Sequence, residues 1–471
     1  MTDIINSISA LLWGQVLVYL LIAAGVFFTI RLGFIQFVQF PHMFKVMFGS
    51  RKCGGDEISS FQAFCTSLAA RVGTGNMAGV AVALYLGGPG AIFWMWLIAL
   101  IGMATSFAES TLAQAYKTKD ADGNFRGGPA YYMERGLGKR WMGVLFSLCL
   151  ILAFGLVFNA VQSNSIAAAF EVAFNVPKYI VGIALVIGSG IIIFGGLKTI
   201  SRFAEMVVPF MALAYLLVAI YVCAINFTAL PDVIVLIIKS AFGLEQAGAG
   251  AIGYGVTQAM IQGIKRGLFS NEAGMGSAAN AAATATPYPP HPASQGYVQM
   301  LGVFIDTIVI CTATASLILL SNQLVPESAV LGIELTQAAL QEHVGDWGTY
   351  FIAIAILFFA FTSIVANYSY AETNLMFLEH NSTKGMFIFR LLVLGMVMFG
   401  AIGELGIIWT LADISMGLMA IVNVVALFML SGVVVWLSKD YNAQNKQGVL
   451  PTFDKDKHPK LAKEVDPNAW K

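Results

Sequence analysis

Runs of about twenty apolar residues, separated by short polar connections, make up most of this 471-residue chain. A helix of about 20 apolar residues is long enough to cross the hydrocarbon core of a bilayer. Eleven stretches reach that length: residues 9–30, 61–86, 90–116, 141–172, 178–197, 203–226, 250–285, 295–321, 347–379, 386–404 and 410–437. Several are longer than needed and are expected to tilt or break. Two carry the same interruption. One reads Arg71-Val-Gly-Thr-Gly-Asn76-Met-Ala-Gly79, the other Arg266-Gly-Leu-Phe-Ser-Asn271-Glu-Ala-Gly274. Aligned without gaps, Arg71, Asn76, Ala78 and Gly79 fall on Arg266, Asn271, Ala273 and Gly274. Gly, Asn and Thr at mid-span free backbone groups that hydrocarbon tolerates only beside protein or a cavity. Matching interruptions in two halves of a membrane protein point to a secondary transporter's binding site. The plainer alternative is a pair of small-residue helix-packing motifs.

The polar connections orient the stretches. Connections after odd-numbered stretches, together with the tail, hold twenty Lys and Arg residues, Arg51 and Lys52 among them. Connections after even-numbered stretches hold two, Lys178 and Lys239. Basic residues stay on the cytoplasmic side, so the N-terminus is expected outside and the C-terminus in the cytoplasm. With the first stretch set aside, ten remain as five plus five, and the two interrupted stretches enter from opposite sides. The fold class expected is an all-α polytopic membrane protein: eleven transmembrane helices, one N-terminal helix plus a 5+5 inverted repeat with broken helices. The divisions are 1–60, the N-terminal helix and a cytoplasmic loop; 61–226, the first repeat; 250–437, the second, inverted repeat; and 438–471, a polar cytoplasmic tail with no chemistry assigned.

Composition agrees: the chain is 58% hydrophobic and 11% charged, with mean hydropathy +0.76, which is the polytopic membrane class. Net charge is zero, so nucleic acid is not an expected partner. Cys53, Cys65, Cys149, Cys223 and Cys311 have no CxxC spacing, and reduced packing residues are expected. The first apolar stretch has no Lys or Arg before it, so it reads as a retained helix rather than a cleaved signal. His42, His291, His343, His380 and His458 form no metal spacing, and no phosphate-binding loop occurs. An enzyme and an ATP-driven pump are therefore not expected. An ion channel, the remote alternative, suits a symmetric oligomer better than an internal inverted repeat.

Five motifs carry a resemblance. They are Gly87-Gly-Pro-Gly-Ala-Ile-Phe-Trp-Met-Trp-Leu-Ile-Ala-Leu-Ile-Gly102, RVGTGNMAGVA (71–81), RGGPAYYM (126–133), FNAVQSNS (158–165) and RGLFSNEAGMGSA (266–278). The chain resembles the alanine or glycine:cation symporter family, also called the sodium:alanine symporter family. The resemblance implies the leucine-transporter type of 5+5 fold and sodium-driven uptake of small neutral amino acids such as alanine and glycine. The expected setting is the lipid bilayer of the cell inner membrane, the expected state a monomer and the expected coupling ion sodium.

A zwitterionic amino acid needs an anion site beside a cation site, and broken helices supply free N–H groups and carbonyls. A break near Thr74, Gly75 and Asn76, and another across Phe269, Ser270 and Glu272, would both face a carboxylate. Gln162 matches a family glutamine that contacts substrate, and Phe269 matches a family pocket residue. Interhelical hydrogen bonding is the plain alternative for Gln162 and the favoured reading for Asn159 and Asn164. Following the common sodium site of the fold, Thr362 and Ser363 would supply hydroxyls and Ala70 and Gly73 carbonyls. Hydroxyls bonded back onto their own helix are the alternative. Family members related to alanine transporters tend to carry Thr-Ile-Leu-Gly-Trp where this chain has Ser-Ile-Val-Ala-Asn367. Asn367 would enlarge the pocket and add a donor and an acceptor, which makes glutamine or asparagine an alternative substrate. Glu109, Glu205, Glu272, Asp306, Glu372 and Asp413 lie within spans. A structural ion pair of Asp306 or Glu272 with Arg71 or Arg266 is expected; proton coupling through Asp306 is the sharper alternative.

Overall fold

In the computed structural model residues 2–50, 57–120, 123–244, 249–325, 332–378 and 383–470 are described. Arg51, Lys52, Cys53 and His380 lie outside the described residues. Eight described helices are long and apolar enough to cross a membrane. They are α1 (Ser7–Arg31), α4 (Gly90–Ala115), α5 (Arg140–Phe174), α7 (Gly196–Ile225), α10 (Pro292–Leu319), α11 (Trp347–Phe377), α12 (Lys384–Ile402) and α13 (Gly406–Lys446).

The two interrupted stretches fold as pairs of helices. Residues 61–86 become α2 (Ser60–Arg71), a π-helical turn (Gly75–Gly79) and α3 (Val80–Gly87). Ser59 opens α2 with a capping box, its Oγ accepting from Gln62 N at 3.1 Å while Gln62 Oε1 accepts from Ser59 N at 3.0 Å. Residues 250–285 become α8 (Ala249–Asn271) and α9 (Ala278–Thr284). The shorter apolar helix α6 (Lys178–Ile193) completes the set.

Helix α4 is the central post. It packs on α1, α8, α9 and α10, while α5 packs on α11 and α12. Small residues bring the axes close: a Cβ on Gly267 would stand 2.7 Å from Ile98 Cγ2. The outward faces of α6, α7 and α12 expose Ile187, Ile191, Phe210, Leu213, Leu217, Leu391 and Leu392, an apolar belt of the kind that faces lipid.

Among the described residues five connecting helices lie outside the apolar stretches: Ile35–Val38, Phe40–Gly49, Pro129–Arg135, Leu230–Ala241 and Ile333–Val344. A two-stranded ribbon pairs Thr118 with Arg126 and Lys119 with Phe125. The tail also departs from expectation. Helix α13 continues to Lys446, past the residue 437 at which the last apolar stretch ends. Beyond it the chain docks on the bundle, with Leu461, Val465 and Trp470 buried. Trp470 Nε1 donates to Gln114 O at 2.9 Å, and Tyr116 Oη donates to Glu464 Oε2 at 2.9 Å. Lys117 Nζ sits 3.7 Å from the Phe125 ring centre and 4.7 Å from that of Trp470.

Candidate functional site at two helix breaks

The first break follows Arg71. Val72 leaves the helix at ψ 86°, and the chain becomes helical again at the turn that starts with Gly75. Both intervening glycines are required by close approach. A Cβ on Gly73 would collide with Ser363 Oγ and stand 2.8 Å from Gln162 Oε1. A Cβ on Gly75 would stand 2.9 Å from Phe269 Cδ1 and 3.2 Å from Ser270 Cα. The freed N–H groups are held by side chains: Gly73 N donates to Asn76 Oδ1 at 2.9 Å, and Thr74 N to Gln162 Oε1 at 2.9 Å. Thr74 Oγ1 is buried with no hydrogen-bond partner.

The second break lies later than expected. Phe269 and Ser270 are in the last helical turn of α8, and the chain opens over residues 272–277. Glu272, Gly274 and Gly276 take left-handed φ values of 61°, 94° and 79° there. This break does not offer its N–H groups to a ligand. Gly274 N and Gly276 N donate to Glu109 Oε2 of α4 at 3.2 and 3.0 Å, and Asn423 Nδ2 adds a third donor at 3.0 Å. A protein carboxylate thus fills the anion position at the helix opening. Glu272 Oε2 accepts from Ser277 Oγ at 2.6 Å, within its own break.

Asp306 joins the two segments. It lies where α10 widens into a π-helical stretch, Phe304–Cys311, and is fully buried. Oδ1 accepts from Asn76 Nδ2 at 2.7 Å, and Oδ2 accepts from Ser270 Oγ at 2.7 Å and Thr307 Oγ1 at 2.8 Å. Cys311 Sγ lies 3.3 Å from Asn76 Nδ2 and 3.2 Å from Ser270 Oγ. So Cys311 belongs to the junction rather than to general packing, which its lack of motif hid.

The expected ion pair is not formed. Arg71 donates to Gln299 O at 3.1 Å and Ser106 Oγ at 3.4 Å, filling space left by Gly302. Arg266 instead pairs with Asp413 Oδ2 at 3.0 Å, which also takes Lys265 Nζ at 2.8 Å. Arg71 spends its donors on the α10 backbone at Gln299 and on Ser106 of α4, Arg266 reaches Asp413 of α13, and Asp306 is met by the neutral donors Asn76, Ser270 and Thr307.

On α11, Ser363 reaches the first break, with Oγ donating to Ala69 O at 2.7 Å. Thr362 does not. Its Oγ1 donates to Phe359 O of its own helix at 2.9 Å and faces Met211 Sδ on α7. Asn367 Nδ2 donates to Asn159 Oδ1 at 3.2 Å, and Asn367 Oδ1 is buried without a partner. Asn159 and Asn367 stand one turn along their helices from Gln162 and Ser363. Asn164 bonds across to Gly400 O and Gly403 O, both at 2.9 Å, as a structural residue. The Phe269 ring lies 4.6 Å from that of Phe158 and 4.8 Å from that of Trp409.

Interrupted helices meeting at a buried, hydrogen-bonded centre inside an apolar bundle define the class: a multi-pass membrane transporter, not an enzyme. Residues 1–455 match the model of the sodium:alanine symporter family, and the chain belongs to that family. It is 52% identical over 454 residues to the probable sodium/glutamine symporter GlnT of Bacillus subtilis, covering 96% of this chain and 93% of that protein. It is 50% identical to the amino-acid carrier protein AlsT of Bacillus subtilis over 96% of this chain and 94% of the other. It is 39% identical to the sodium/alanine symporter AgcS of Methanococcus maripaludis over 94% and 98%.

Proposed function

We propose that this chain is a sodium-coupled symporter that takes up small neutral amino acids such as alanine and glycine by alternating access. The observation that carries the reading is the Asp306 carboxylate, which binds Asn76 of one interrupted segment and Ser270 of the other. A centre shared by two broken helices is where a midplane substrate site forms. The reading takes eleven spans, an inverted 5+5 arrangement, an outside N-terminus and a cytoplasmic C-terminus.

The substrate carboxylate would take the N–H groups of Thr74 and Gly75, replacing Gln162 Oε1, which then turns to the ammonium group. Phe269 would cover the side chain. Sodium would lie at Ser363 Oγ with the carbonyls of Ala70 and Gly73, since a hard cation takes oxygen ligands. Each ligand then restrains the same break, which couples their binding. A second reading is glutamine. It is favoured by the unpartnered Asn367 Oδ1, an acceptor suited to a side-chain amide, and by the name of the relative GlnT.

The test is uptake of radiolabelled alanine, glycine and glutamine into proteoliposomes. Uptake is expected under an inward sodium gradient, and Ser363→Ala is expected to abolish it. Equal uptake driven by a proton gradient without sodium would sink the sodium assignment and move coupling to Asp306.

A further inference from the structure

One half of each interrupted segment ends at the same place. Thr286 N, just beyond α9, donates to Ile58 O, just before α2, at 2.9 Å, and Ser59 pairs with Thr286 as an isolated bridge. A helix C-terminus leaves carbonyls without intrahelical partners and carries a partial negative charge. Helix α9 has both needs met by α4 and the residues that follow it. Gln114 Nε2 donates to Ala282 O and Ala285 O, and Lys117 Nζ donates to Ala285 O at 2.9 Å. Lys117 is 1% exposed, so its charge is kept out of water.

A buried cation is costly unless it is partnered. The partners of Lys117 are Ala285 O, the Phe125 ring and the Trp470 ring of the tail. Gln114 is gripped from the same side: its carbonyl takes the Trp470 indole N–H while its side chain holds α9. The rest of the tail is fixed around that residue. Phe453 N donates to Pro290 O at 2.9 Å, and the Phe453 ring lies 5.0 Å from that of Trp470. Asp466 Oδ2 lies 3.7 Å from Arg135 Nη2 on a connecting helix. The tail therefore ties the ends of α2 and α9 to α4 without touching either break.

We propose that the docked tail is an autoinhibitory latch: while Trp470 lies on Lys117, the ends of α2 and α9 stay fixed to α4, and opening toward the cytoplasm waits for the tail to lift. The inference rests on the transport reading and the orientation given above. Lifting Trp470 admits water to Lys117. A hydrated ammonium exchanges Ala285 O for water at little net cost. Helix α9 is then free to leave α4. Removing the latch therefore speeds the cycle, whereas removing a contact that only supports the fold slows it.

The experiment is uptake of radiolabelled L-alanine and L-glutamine by proteoliposomes holding the full chain, under an inward sodium gradient. It is paired with hydrogen–deuterium exchange of the same protein in lipid nanodiscs. Trp470→Ala is expected to raise the initial uptake rate about fivefold, and to speed amide exchange in α9 as well as in the tail. Trp470→Phe keeps a ring over Lys117 and is expected to fall between the two. Should Trp470→Ala fail to fold, Arg135→Gln decides alone, because it breaks only the partly exposed pair with Asp466. It is expected to raise the rate about twofold. Uptake that is unchanged or slower in the folded variants would overturn the latch while leaving the transport reading intact. No uptake of either probe by the wild type would overturn both.

Discussion

At the scale of single residues the junction depends on side chains that are absent as much as on those present. Gly75 has Phe269 and the Ser270 backbone against the position of a Cβ, and backbone cannot turn aside. Gly75→Ala is expected to leave the protein folded in the membrane and to cut uptake about a hundredfold, because a shift of about 1 Å at a site is enough for that loss. Asp306→Asn keeps the shape but turns one acceptor into a donor facing Ser270 Oγ and Thr307 Oγ1. It is expected to destabilise by about 1–3 kcal/mol, measured as a lower melting temperature in detergent. Glycine spacing and the mid-span polar residues made the first break readable from sequence; Gln162 meets it through an interhelical hydrogen bond to Thr74 N, and Ser363 through Ala69 O. Glu109 was visible only as an acid within a span. Its partners Gly274 and Gly276 lie 165 and 167 positions away, and no local pattern links them. Thr362 and Ser363 read as equals in sequence; helical rotation separates them, sending one to α7 and the other to the break.

At the scale of elements, apolar length located the eight described helices that are long and apolar enough to cross a membrane, because that property is one of length and composition. It could not place the short connecting helices, whose mixed composition carries no such signal, nor the start of the second break, which is set by three left-handed residues rather than by Phe269. The start of α10 supplies a test by pH. His291 caps it, Nδ1 accepting from Ala293 N at 3.1 Å while Nε2 lies 3.2 Å from Asp440 Oδ2. That geometry needs a neutral ring donating from Nε2. Burial holds the His291 pKa below its ordinary 6.5, with Asp440 opposing the shift. The unfolded chain therefore binds more protons between the lowered value and 6.5, so stability rises with pH through that window and is lost as pH falls. Melting temperature is expected to drop below pH 6.5, and His291→Asn, which keeps a capping acceptor, is expected to flatten the dependence.

At the scale of the whole molecule two things hold the bundle, the hydrogen-bonded junction of the breaks and the continuous apolar core around it. Ligands that bind between the breaks act on the first of these. Alanine with sodium chloride is expected to raise the melting temperature by a few degrees, and alanine with potassium chloride is expected not to. Deleting residues 447–471 is expected to lower the melting temperature without changing which amino acid is taken up, since the tail touches α4 and the chain beyond α9 but neither break.

That docked tail also sets an order of events. Gln114 lies on α4, made early, yet its carbonyl receives the Trp470 indole N–H, made after every membrane helix. The Phe125 and Trp470 rings that enclose Lys117 are likewise separated by most of the chain's synthesis. During biogenesis this end of the bundle therefore stays open while the helices enter the bilayer one after another. It is sealed from the aqueous side as a final step.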